Sequence, residues 1–146
     1  MATINPYLNF PGNCEEAFNF YKSIFGGEFT YLGKFKDMPP QEGVELSKED
    51  QNKVMHVSLP IGKETLLMGS DAGGEWAPKI IIGNNISISI TAESKEEADR
   101  LFNKLSDGGN VTMPMNQTFW GSYFGMCTDK FDINWMISFG DESQGS

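Results

Sequence analysis

The sequence predicts an α+β fold in which two tandem βαβββ modules form a curved mixed sheet with a cleft. Three observations predict it. The order strand, helix, strand, strand, strand can be traced twice along the chain. Two glycine pairs, Gly26-Gly27 and Gly108-Gly109, each close a helical pattern and lead into a strand ("GGEFTY" and "GGNVTM"), 108 − 26 = 82 residues apart. At 146 residues the chain suits one domain. Each half, with one helix, is too small to stand alone.

In the first module, about residues 1–71, "INPYLNFPG" alternates and ends in turn residues, which predicts a strand from Ile4 to Phe10. A helix should follow. Asn13 is a suitable N-cap, Glu15 and Glu16 put negative charge on the first turn, and Cys14, Ala17, Phe18, Tyr21, Ile24 and Phe25 recur at helical spacing. Gly26 ends the helix through a left-handed cap. Then come a strand in "EFTYLGKF", an acidic loop from about Lys36 to Asn52, and strands in "VMHVSLPIG" and "ETLLMGSD".

The second module, about residues 85–140, opens with "NISISITA", an alternating strand with Ile86, Ile88 and Ile90 on one face and Ser87, Ser89 and Thr91 on the other. Ser94 and Glu97 make a capping box, and Ala98, Leu101, Phe102 and Leu105 give the buried stripe of the second helix. Strands are expected at Val111 to Met115, Tyr123 to Thr128 and Ile133 to Phe139. Between the modules, 72–84 reads as a linker, "AGGEWAPKIIIGN".

A formal charge of −9, with no cluster among the eleven Lys and Arg, argues against nucleic acid and anionic membrane as partners. A small neutral or apolar ligand fits better. Cys14 and Cys127 form no CxxC and are expected to be reduced and buried. No stretch approaches a membrane span, and no basic and apolar leader opens the chain, so the expected location is cytoplasmic.

Three segments then carry a resemblance: "YLNFPGNCEEAFNFYKSIFGGE" (7–28), "MHVSLPIGKETLLMGSD" (55–71) and "FWGSYFGMCTDKFDINWMI" (119–137). Together with the tandem plan they resemble the vicinal oxygen chelate superfamily, which includes glyoxalase I, extradiol dioxygenases and bleomycin-resistance proteins. Within it they are similar to the PhnB-like, or 3-demethylubiquinone-9 3-methyltransferase-like, group. The spacing of Trp120, Gly121, Gly125, Asp129 and Trp135 is shared, but the usual Asp-Pro-Phe-Gly turn is here Asp129-Lys130-Phe131-Asp132. Asp132 is expected to take the left-handed conformation that glycine would supply, and both aspartates to act as turn-formers.

The resemblance implies four strand positions that, in metal-dependent members, hold a divalent ion through His, Gln or Glu. Here they fall at Asn5 to Tyr7, Leu67 to Met68, Asn85 to Ser87 and Trp135 to Met136, without a histidine or carboxylate among them. A site without metal or other cofactor is therefore expected. The methyltransferase label implies S-adenosylmethionine, yet no glycine-rich strand-to-helix turn of a doubly wound sheet is present. His56, the single histidine, is the candidate catalytic group, as general base or polar contact. Tyr7, Met68, Ser87, Trp120, Tyr123 and Met136 are the candidate ligand-binding residues, with Met115 also expected to line the cleft. Two readings follow: a metal-independent protein binding an aromatic or apolar small molecule, or a lyase, isomerase or dioxygenase-like enzyme using His56 or an unrecognised metal site. The resemblance and the apolar stretch "WAPKIII", with Trp76 and Ile80 to Ile82, both lead to the expectation of a homodimer.

Overall fold

The computed structural model describes residues 2–39, 46–72 and 79–140. The chain divides into two compact units, Met1–Ile81 and Ile82–Ser146. The first contains β1 (Tyr7–Phe10), α1 (Cys14–Phe25), β2 (Tyr31–Lys34), a 3-10 turn (Phe35–Asp37), α2 (Lys48–Gln51), β3 (Val54–Ile61) and β4 (Thr65–Asp71). The second contains β5 (Ile88–Thr91), α3 (Lys95–Ser106), β6 (Asn110–Gln117), β7 (Ser122–Thr128) and β8 (Asn134–Gly140). Each is a four-stranded mixed sheet, ordered β1-β4-β3-β2 and β5-β8-β7-β6, with one parallel pair and two antiparallel pairs. This is the α+β fold of paired βαβββ units that the sequence predicts.

The repeat extends to strand register. Tyr7, Met68, Ser58 and Tyr31 stand side by side across the first sheet, and Ser89, Met136, Met126 and Met113 across the second. Corresponding residues of the first two strands are 82 apart (89 − 7 and 113 − 31), and those of the last two 68 apart (126 − 58 and 136 − 68). The difference falls between the second and third strands. There the first unit carries its 3-10 turn and α2 within the stretch expected to be a plain loop, while the second turns tightly at 118–121.

Both long helices bury the faces that the spacing predicts: Cys14, Ala17, Phe18, Tyr21 and Ile24 on α1, and Ala98, Leu101, Phe102 and Leu105 on α3. Fully burying a phenylalanine such as Phe18 contributes roughly 1.5–3 kcal/mol. Glycines on the sheets admit these rings. A Cβ on Gly69 would lie 2.7 Å from Phe18 and 2.8 Å from the Leu8 carbonyl, and one on Gly125 would lie 3.0 Å from Phe102.

The helix starts differ from each other. On α3, Ser94 Oγ accepts from the Glu97 amide at 3.0 Å while Glu97 accepts from the Glu93 amide at 2.9 Å, one residue before the expected partner. On α1 the expected cap is not made, because Asn13 has φ −113 and ψ 26 and its side chain caps nothing. The task falls to Asp71 at the end of β4. Its buried carboxylate accepts from the Cys14 amide (2.8 Å) and from the Val54 amide (2.9 Å), tying α1 to the start of β3. Strands β1 and β5 are shorter than expected, beginning at Tyr7 and Ile88, and Trp76 lies outside the described residues.

Candidate functional site

Since Gly69 looks toward α1, its register partners Leu8 and Val57 share that face, and their neighbours look away. The outward row therefore holds Tyr7, Met68, Ser58 and Tyr31, with His56 two residues from Ser58. The Tyr7 hydroxyl lies 3.0 Å from His56 Nδ1, and the two rings stack with centroids 5.5 Å apart at 24°. Tyr31 flanks the imidazole from the other side, at 5.8 Å and 41°. Tyr7 is 43% exposed and Tyr31 48%, while His56 is half-buried between them.

Gly33, the register partner of His56, makes this grouping possible. A Cβ there would lie 2.5 Å from the Tyr31 hydroxyl oxygen and 2.8 Å from its ring, so Tyr31 lies back across a position that any side chain would fill. A register shift follows at Lys34, whose partner is Val54. The bulge lies beside the histidine.

The chemistry open to this group follows from the Tyr7 contact. When the phenol donates, Nδ1 accepts and Nε2 carries the proton toward a ligand; when Nδ1 donates, Nε2 becomes the acceptor or base. The two rings beside it offer π faces to a planar molecule.

On the second unit, Gly125 looks toward Phe102 of α3, so Met126 and Phe124 look away, together with their partners Met136 and Ser138. Met136 is half-buried on this outward face, beside Ser89 and Met126. Trp120, 48% exposed in the 118–121 turn, stands edge-on to Phe124 at 6.1 Å and to Phe119 at 5.0 Å.

Three residues stand differently from the expected lining. Tyr123 lies on the α3 face, where its hydroxyl donates to Asp99 Oδ1 at 2.5 Å, Lys95 Nζ sits 4.7 Å from its ring, and the Asp99 hydrogen bond raises its pKa. Met115 also lies on the helix side, its sulfur against Gly125. Ser87 precedes β5, and the residue across from Met136 is Ser89. The structure thus groups Tyr7, His56 and Met68 on one sheet face, and gives Met136 and Trp120 to the other unit.

The aspartates of the last turn are turn-formers, as expected. Asp132 has φ 70. Buried Asp129 accepts from the Phe131 amide (2.8 Å) and Ile133 amide (3.1 Å) through Oδ1, and from Trp135 Nε1 (2.8 Å) through Oδ2. Trp135 is therefore core. Both cysteines are buried, and burial is the first cause of their raised pKa values, with Cys127 pushed to about 11. Among the described residues, no three His, Cys, Asp or Glu side chains group so as to hold a metal ion.

Two βαβββ units, each with its first strand parallel to its fourth at the sheet edge, define a protein of the vicinal oxygen chelate superfamily. Residues 2–138 match the family described as 3-demethylubiquinone-9 3-methyltransferase, and the chain belongs to this family, the PhnB-like group. It is 30% identical over 141 residues to Protein YjdN of Escherichia coli, covering 92% of this chain and 93% of that one. Among solved structures it is similar to protein PA1353 of Pseudomonas aeruginosa (39% identity, TM-score 0.81, covering 96% and 98% of the two chains). It is also similar to a putative 3-demethylubiquinone-9 3-methyltransferase, PhnB protein, of Bacillus cereus (25%, TM-score 0.75, 95% and 100%). FosX of Listeria monocytogenes, a fosfomycin resistance protein, shares the fold at 10% identity and TM-score 0.67 over 98% and 96% of the two chains.

Proposed function

We propose that the protein binds a small planar, aromatic or apolar molecule without a divalent metal ion, on the outward face of the first sheet. The observation that carries this reading is the group formed by His56 between Tyr7 and Tyr31, with Met68 beside Tyr7. Two half-exposed rings offer stacking surface, the imidazole offers one directional hydrogen bond, and the thioether adapts to shape. The four positions that hold a divalent ion in metal-dependent relatives offer here a phenol at Tyr7, thioethers at Met68 and Met136, and a hydroxyl at Ser87 or, by register, Ser89. That donor set does not fit a hard or borderline divalent ion, which needs carboxylate or imidazole. Dialysis against zinc, manganese and nickel followed by elemental analysis should find less than one equivalent retained per chain; one tightly held equivalent would contradict the reading.

Native mass spectrometry of protein taken directly from expressing cells tests the binding itself. A co-purified adduct that is lost in Tyr7→Ala and Tyr31→Ala variants of unchanged melting temperature supports the proposal, and an adduct retained in both overturns it. The Tyr7–His56 hydrogen bond favours a second reading, in which His56 Nε2 acts as general base in a lyase or isomerase. Loss of turnover in His56→Ala with ligand binding intact would select the enzyme. The protein is further proposed to work as a homodimer, supported by exposed Ile81, Ile82 and Ile86.

A further inference from the structure

We infer that the outward face of the second unit carries a binding site for a soft monovalent metal ion, Cu(I) or Ag(I), formed by Met113, Met126 and Met136. Met126 of β7 is the register partner of Met136 on β8 and of Met113 on β6, where register shifts on both sides of Met113 set it apart from Met115, whose sulfur lies on the helix side. Directly opposed residues on neighbouring strands place their Cβ atoms about 4.5–5.5 Å apart. The outer two residues stand about two strand spacings, roughly 10 Å, apart, a gap that two flexible thioether arms leaning inward over the central one close. Such leaning would bring the three thioethers to one ion above Met126.

The surroundings suit such an ion and no harder one. Thioethers are soft, polarisable and uncharged, so they select Cu(I) or Ag(I) over divalent ions that seek oxygen or imidazole. The outward neighbours include Ser89, Phe124, Ser138, Thr128 and Asn134, and neither carboxylate nor histidine from the outward strand positions competes for the ion. Met113 is 43% exposed, and Met126 and Met136 are half-buried, so the site is reachable while two of its arms are held by packing. The pattern does not recur in the first unit, where the same row reads Tyr31, Ser58 and Met68. Register makes this row a feature of the second unit alone, since the eight methionines of the chain are otherwise scattered. Its residues lie on the second sheet, whereas the planar-ligand reading rests on Tyr7, His56 and Tyr31 of the first.

The test is titration of the purified full chain, methyl-labelled at methionine, with Ag(I), and with Cu(I) under a competing chelator in the absence of oxygen. One equivalent is expected to bind, moving the methyl resonances of Met113, Met126 and Met136 and leaving those of Met55, Met68 and Met115 in place. Met126→Leu, which keeps volume and apolar character, should keep the fold and weaken binding by roughly tenfold or more, whereas Met115→Leu should leave it unchanged. No binding would overturn the inference. So would equal affinity in Met126→Leu, or binding that shifts other methionines or depends on the two cysteines. A planar ligand that still binds at His56 in Met126→Leu would show that the two sites fail or hold independently.

Discussion

At the scale of single residues, local conformational freedom and one hydrogen bond hold the candidate site together. Gly33 gives Tyr31 the room to lie beside His56, so Gly33→Ala, where the backbone itself is unstrained, should displace that ring without unfolding the sheet. The expected result is ligand affinity weakened several-fold, read by titration, with a loss of stability of about 1 kcal/mol or less by urea unfolding. Asp129 is a different kind of residue. Its buried carboxylate satisfies two amides and an indole, so Asp129→Ala leaves three donors without an acceptor and should cost about 3 kcal/mol or more, seen as a marked fall in melting temperature. The turn chemistry of Asp129 and Asp132 was legible because short polar side chains at those positions have few other uses. Tyr31 was not, since only strand register brings it near His56 and sets Gly33 opposite the histidine. Tyr123 misled for the same reason: an aromatic on an alternating strand is assigned to a face only when the partner strands are known, and Asp99 of α3 claims it.

At the scale of elements, the helices and strands were largely legible from their periods, and the fastenings between them were not. Asp71 ends a strand that the sequence predicts, yet its hold on Cys14 and Val54 spans 57 and 17 residues, beyond any local pattern. Asn13, the locally obvious cap, therefore stands unused on α1. Ser94→Ala on α3 should cost about 1 kcal/mol by loss of an ordinary cap. Asp71→Ala should cost more, because one substitution frees the start of a helix and of a strand together, and chemical denaturation of the two variants side by side checks the order. The buried thiols add a pH dependence. Burial raises Cys127 from an ordinary value near 9.0 to about 11, and Cys14 moves in the same direction, so the folded chain keeps protons that the unfolded chain gives up. The thiol contribution to stability is full below pH 9 and is lost as pH rises toward 11. Cysteine-to-serine variants should show a flatter fall in melting temperature over that window.

At the scale of the whole molecule, the chain is a repeated unit whose two outward rows carry different side chains. On the helix side each unit seats an aromatic ring on a sheet glycine, Phe18 on Gly69 of β4 and Phe102 on Gly125 of β7. The outward rows are tyrosine, serine, methionine and tyrosine in one unit and methionine, methionine, methionine and serine in the other. The duplication was legible from the glycine pairs and the repeated element order. The side taken by Tyr123 and Met115 was not, because the sequence shows which strands alternate but not which way each face turns. Sedimentation equilibrium at tens of micromolar should return twice the chain mass, the expected state for a chain exposing Ile81, Ile82 and Ile86. The Tyr7, His56 and Tyr31 group is proposed to receive a planar ligand. An NMR titration of histidine- and tyrosine-labelled protein with a panel of aromatic compounds tests it most directly. Saturable shifts of those three residues together are expected with at least one compound, with loss of its binding in His56→Ala or Tyr7→Ala; binders that leave all three unmoved would contradict a site there.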